Sequence, residues 1–142
     1  MKTNNLCKSL CAFLSIAVFA CLLGAAAPGV NPEPTAERFF QTLSKSGSEK
    51  AFEALFEGSL FAQAKSEELA RMKEDFNKHL AGRSIAGFEQ VKQKSYGQSV
   101  VKLVYILKLE SHPLVWEFYF YKARTDWVLA RVGFDEDLRK LD

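Results

Sequence analysis

The sequence predicts an α+β fold: three N-terminal helices packed on one face of a curved, cone-like, four-stranded antiparallel sheet, with a signal peptide in front. Three observations predict it. Residues 1–27 have the build of an export leader. Apolar residues recur at helical spacing between Pro34 and Leu80, and after Gly82 the period drops to two.

The leader opens with Lys2 and Lys8 and no acid, then runs through an apolar stretch from Ser9 to Leu23. Gly24, Ala25, Ala26 and Ala27 supply the small residues of a cleavage site, with the cut expected after Ala26 or after Ala27. Two alternatives stay open: an uncleaved membrane anchor, and lipidation at Cys21. The apolar run is short for a permanent span, which needs about 20 residues. The expected address is outside the cytoplasm, periplasmic or secreted.

All three cysteines, Cys7, Cys11 and Cys21, lie in the leader, so the mature chain has no disulfide, thiolate metal site or thiol nucleophile. Removing Lys2 and Lys8 leaves 17 of the 19 basic residues against 17 acidic ones, a balance that argues against nucleic acid as a partner. A mature chain of roughly 115 residues has the size of one domain with one core. The expected boundaries are 1–27 for the signal peptide, 28–34 for an extended proline-rich linker and 35–142 for the domain.

Within that domain, Thr35 is expected to start the first helix, and Phe39, Phe40 and Leu43 form its apolar stripe. Gly47 stops it, Ser48 caps a second helix, and there Ala51, Phe52, Leu55 and Phe56 share a face. A third helix from about Ser66 to Leu80 carries Leu69, Met72, Phe76 and Leu80 on one side and charges on the other, with Gly82 as its stop.

Strands are expected at Ile85 to Lys94, Ser99 to Glu110, Leu114 to Ala123 and Trp127 to Phe134. The short turns between them imply an antiparallel meander. Val101, Leu103, Tyr105, Leu107 and Leu109 share a face, as do Trp116, Phe118 and Phe120. Pairing Glu110 with Val115 would set Lys108 against Glu117 and Leu107 against Phe118, a register favoured by its charge match. The helical stripes then cover the apolar face.

The aromatic strand Phe118-Tyr119-Phe120-Tyr121, the turn, the run Trp127-Val128-Leu129 and the finish Gly133-Phe134-Asp135-Glu136-Asp137-Leu138 resemble small exported bacterial members of the nuclear transport factor 2-like superfamily. The order of elements agrees over the whole mature chain. The resemblance implies a cone of helices and sheet, often with a pocket inside, and dimers made through the sheet. Some members are enzymes, such as ketosteroid isomerase and scytalone dehydratase, and many have no assigned activity.

Candidate pocket residues are Tyr105, Arg131, Glu89 and Trp116. Arg131 alternates with Trp127 and Leu129, which would turn its charge inward toward an anion. Glu117 is explained by Lys108, and Asp126 by its turn. The two histidines, His79 and His112, read as surface residues, far apart in sequence, and no metal spacing or cofactor motif is present. Val104, Ile106, Tyr119 and Tyr121 make the other sheet face too apolar for bare solvent, so it is the expected homodimer face. The function expected is an exported, non-enzymatic binding or interaction domain for a small apolar or anionic ligand. The alternative is a small cone-pocket enzyme of the isomerase or dehydratase kind. Membrane contact is expected only if the leader is kept or Cys21 is lipidated.

Overall fold

The structure, a computed structural model, describes residues 30–141, so the expected leader and residues 28 and 29 lie outside it. Helices precede the sheet: α1 (Pro32–Ser46), α2 (Ser48–Phe56), α3 (Leu60–Ala64) and α4 (Ser66–Leu80). Strands β1 (Ile85–Tyr96), β2 (Val100–Leu109), β3 (Pro113–Lys122) and β4 (Trp127–Asp135) follow, then a 3-10 turn at Leu138–Leu141. The fold is α+β, with the sheet antiparallel in the order β1-β2-β3-β4.

Two helix boundaries correct the sequence reading. The first helix begins at Pro32, inside the expected linker, with extended Asn31 as its N-cap and the Asn31 carbonyl accepting from Thr35 N at 3.0 Å. Proline suits this place, because a first-turn N–H has no helical partner to lose. A short extra helix, α3, stands where a loop was expected. Gly47, at φ 86°, ends α1 by donating its N–H to Leu43 O at 3.1 Å, and its carbonyl starts α2. Ser48 is therefore not the cap; its hydroxyl donates to Asn77 Oδ1 at 2.6 Å and ties α2 to α4.

The apolar stripes meet as expected. Phe39 and Phe40 of α1, Phe52 of α2 and Phe76 of α4 are buried against Trp116, Phe118 and Tyr105 of the sheet. Every fully buried residue of this core lies between Ala36 and Val132.

The β2–β3 register differs from the expected one by four residues. Leu107 faces Leu114, Leu103 faces Phe118, and Lys108 faces Pro113. A shift of four keeps every side chain on its face, so alternation cannot choose between the two. Packing chooses: the observed register draws Leu114 from the turn into full burial opposite Leu107, and seats Pro113 at the strand start, where its missing N–H costs least. The charges re-pair accordingly. Glu117 meets Lys102, and Lys108 Nζ reaches Glu89 at 2.7 Å.

Candidate functional site

The four expected pocket residues do not converge. Trp116 is fully buried, its ring 4.9 Å from those of Phe39 and Phe76 and 5.2 Å from that of Phe134. With Phe118 and Phe120, also fully buried, it fills the interior that a cone pocket would occupy. Trp116 is thus core, and its indole Nε1 is buried without a hydrogen-bond partner.

Tyr105 is also core, but its hydroxyl escapes to the margin and donates to Gln90 Oε1 at 2.9 Å. Burial, followed by the carboxylates of Glu37 and Glu33, pushes its pKa up to about 12. Glu89 pairs with Ile106 and so lies on the outer face, held by Lys108.

Arg131 corrects the alternation argument. Leu129 pairs with Phe120 and Arg131 with Tyr119, leaving Ala130 as an extra residue. This bulge turns Arg131 onto the outer face, while Leu129 and Val132 both stay inside. Its guanidinium rests over the Tyr119 ring, 5.8 Å from the centroid.

The outer face is not uniform. Val104, expected at a dimer contact, is fully buried within the single chain, as is Val115. The C-terminal turn packs against β3 on this side. Lys92 donates to the Leu141 carbonyl at 3.1 Å, and Lys140 meets Asp135 at 2.7 Å. Ile106 and Tyr119 are half-buried, and Tyr121 is exposed. Lys102 is buried enough to disfavour its charge, yet hydrogen bonds to Glu117 and Tyr119 outweigh this and raise its pKa.

A wide recess lies to the side of the core. A groove of about 860 Å³ runs between α4 and β4. Leu69, Met72, Phe61 and Phe134 give it apolar walls, and Val132 and Gly133 border it from the strand. Lys65, Arg71 and Lys78 share its rim with Glu68, Glu74 and Asp75. All three of these cations are paired along the chain, Lys65 with Glu68 at 2.8 Å, Lys78 with Glu74 at 3.0 Å and Arg71 more loosely with Glu67 at 3.7 Å. Arg131 also borders the groove, alone among the expected pocket residues. Sequence reading missed this site because its two walls are more than fifty residues apart and each reads alone as an ordinary amphipathic element.

The two histidines, far apart in sequence, meet in space. His79 at the end of α4 and His112 in the β2–β3 turn come together on Glu136, with Nε2 to Oε1 distances of 3.2 Å and 3.0 Å. His79 Nδ1 is 2.9 Å from the Asp75 carbonyl, and His112 Nδ1 is 2.9 Å from Ser111 Oγ. The cluster joins three chain segments. Among the described residues no three His, Cys, Asp or Glu side chains are grouped to hold a metal ion.

No protein-family model matches the chain, and no curated protein matches it. Among solved structures it is similar to a DUF4783 family protein from Bacteroides ovatus, at 16% identity and a TM-score of 0.40. That match covers 51% of this chain and 62% of the other, so the chain spans less than two thirds of the length of that protein.

Proposed function

We propose that this chain is an exported, non-enzymatic binding domain of the nuclear transport factor 2-like kind, whose ligand site is the groove between α4 and β4. The observation that carries the reading is the contrast between a filled interior and an open lateral groove of about 860 Å³. A cone-pocket enzyme needs polar groups converging around an enclosed space. Here Glu89 and Arg131 lie on the far side of the sheet from Tyr105. The groove instead offers apolar contact from Leu69 and Met72, with Arg71, held only loosely by Glu67, on its rim. That chemistry suits a ligand with an apolar body and an anionic group.

Anilinonaphthalene sulfonate has this composition and serves as the probe. Saturable binding to the folded chain, weakened by Met72→Glu, is the expected outcome. Binding that is absent, or indifferent to a carboxylate placed beside Leu69, would remove the groove as the site.

A further inference from the structure

The groove between α4 and β4 is bordered by consecutive strand residues, Ala130 through Phe134. Side chains of a strand alternate between its faces, so a recess over one face would meet every second residue. This recess therefore runs along the backbone edge of β4, an outer strand that pairs within the sheet only with β3. The other outer strand, β1, is interrupted by register shifts between Ile85 and Gly87 and between Gln90 and Lys92. Such bulges are a common protection of an edge. Beyond its own bulge, β4 is regular from Arg131 to Asp135.

The sheet fixes where the backbone groups of β4 point. Lys122 N donates to Ser99 O at 2.8 Å, so the backbone of Lys122 turns toward β2. Alternation then turns Tyr121, Tyr119 and Glu117 toward β4, where they meet Val128, Arg131 and Gly133. The backbone groups of Trp127, Val132 and Phe134 are left facing outward. The antiparallel bridge from Val30 uses Trp127, so this edge does accept a strand partner. Among the described residues, no backbone hydrogen bond from outside the sheet reaches Val132 or Phe134.

We infer that the groove takes an extended peptide with alternating apolar and acidic side chains, added antiparallel to β4 as a fifth strand. The inference rests on the groove being the ligand site and names the class of that ligand. Main-chain bonds to Val132 and Phe134 hold such a peptide, and its side chains set the specificity. Residues opposite Val132 and Phe134 share their helix-facing side, where Leu69, Met72 and Phe61 wall the groove. The residue opposite Arg131 shares its outer side. That place is a non-hydrogen-bonded pair, in which side chains approach most closely. Arg131 stacks on Tyr119, and among the described residues no carboxylate pairs with it. An acid opposite it supplies the complementary charge. Gly133, the next outward-facing position, leaves open space for the neighbouring side chain.

The test uses a chain starting at Pro28, which keeps every described residue. The probe is a capped, dye-labelled peptide of alternating valine and glutamate, followed by fluorescence anisotropy and by amide hydrogen exchange. In the free chain the amides of Val132 and Phe134 should exchange fast, and those of Arg131 and Gly133 slowly. The peptide should bind saturably and slow the first two. Methylating its valine nitrogens removes the backbone donors and keeps the side chains, and should weaken binding about tenfold or more. Arg131→Glu should weaken it about two- to fivefold, and lysines in place of the glutamates should restore it. Failure to bind, indifference to methylation, or slow exchange of Val132 and Phe134 in the free chain would overturn the inference. So would a dimer that protects the same amides, which would assign the edge to a second copy. Anilinonaphthalene sulfonate titrated in parallel separates the two readings. If it binds and the peptide does not, strand addition fails and the groove stands as a ligand site; if neither binds, both fail.

Discussion

Tyr105 combines a buried ring with a hydroxyl that still finds Gln90, and this makes it the residue whose ionisation the fold resists most clearly. Its folded pKa, about 12, stands above its ordinary value of 10.0. The stabilisation is therefore complete below pH 10 and is lost as pH rises toward about 12, because the unfolded chain ionises first. Urea titrations across that window should show an alkaline loss of stability that Tyr105→Phe removes. At neutral pH the same substitution should cost about 1 kcal/mol for the lost hydrogen bond. Trp116 makes the complementary case. Trp116→Ala should cost about 3–5 kcal/mol in urea unfolding, the range for large aromatic truncation in a core. Trp116→Phe should cost clearly less, since the buried indole N–H has no bond to lose.

At the scale of elements, the bulge at Ala130 decides which residues β4 gives to the core. Deleting Ala130 would restore strict alternation and force a choice between Arg131 inside and Leu129 outside. Either should lower stability by about 2–5 kcal/mol, the range for losing a buried leucine, and red-shift Trp127 emission. The same bulge shows where sequence reading stops. Alternation in β2 and β3 was legible, since Val101 to Leu109 and Trp116 to Phe120 lie on the faces their spacing implies. In β4 a single extra residue inverted Arg131, and nothing in Leu129-Ala130-Arg131 announces a bulge. The β2–β3 register was illegible for another reason: shifts by an even number preserve the faces, and only the burial of Leu114 separates them. The helical stripes were legible, but the groove and the His79–Glu136–His112 meeting arise between elements distant in sequence.

At the scale of the whole molecule, the core of the described residues runs from Ala36 to Val132, and the three cysteines all lie in the expected leader. A chain starting at Pro28 should therefore melt at the same temperature with and without a thiol reductant. Mass measurement of the exported protein should show residues 1–26 or 1–27 removed. A mass beginning at Cys21 with added acyl chains would replace cleavage by lipid anchoring and leave the thiol chemically blocked. The C-terminal turn adds a second global tie, since Lys92 of β1 and Asp135 of β4 both hold it.

The order of helices before sheet has a consequence for synthesis. Phe39, Phe40, Phe52 and Phe76 emerge from the ribosome before any strand exists to receive them. The strands then arrive as a meander, each beside its sequence neighbour, so the hairpins can zip locally and quickly. Docking of these phenylalanines onto the sheet must wait until β3 has been made, so the helical half carries its apolar stripes uncovered until then.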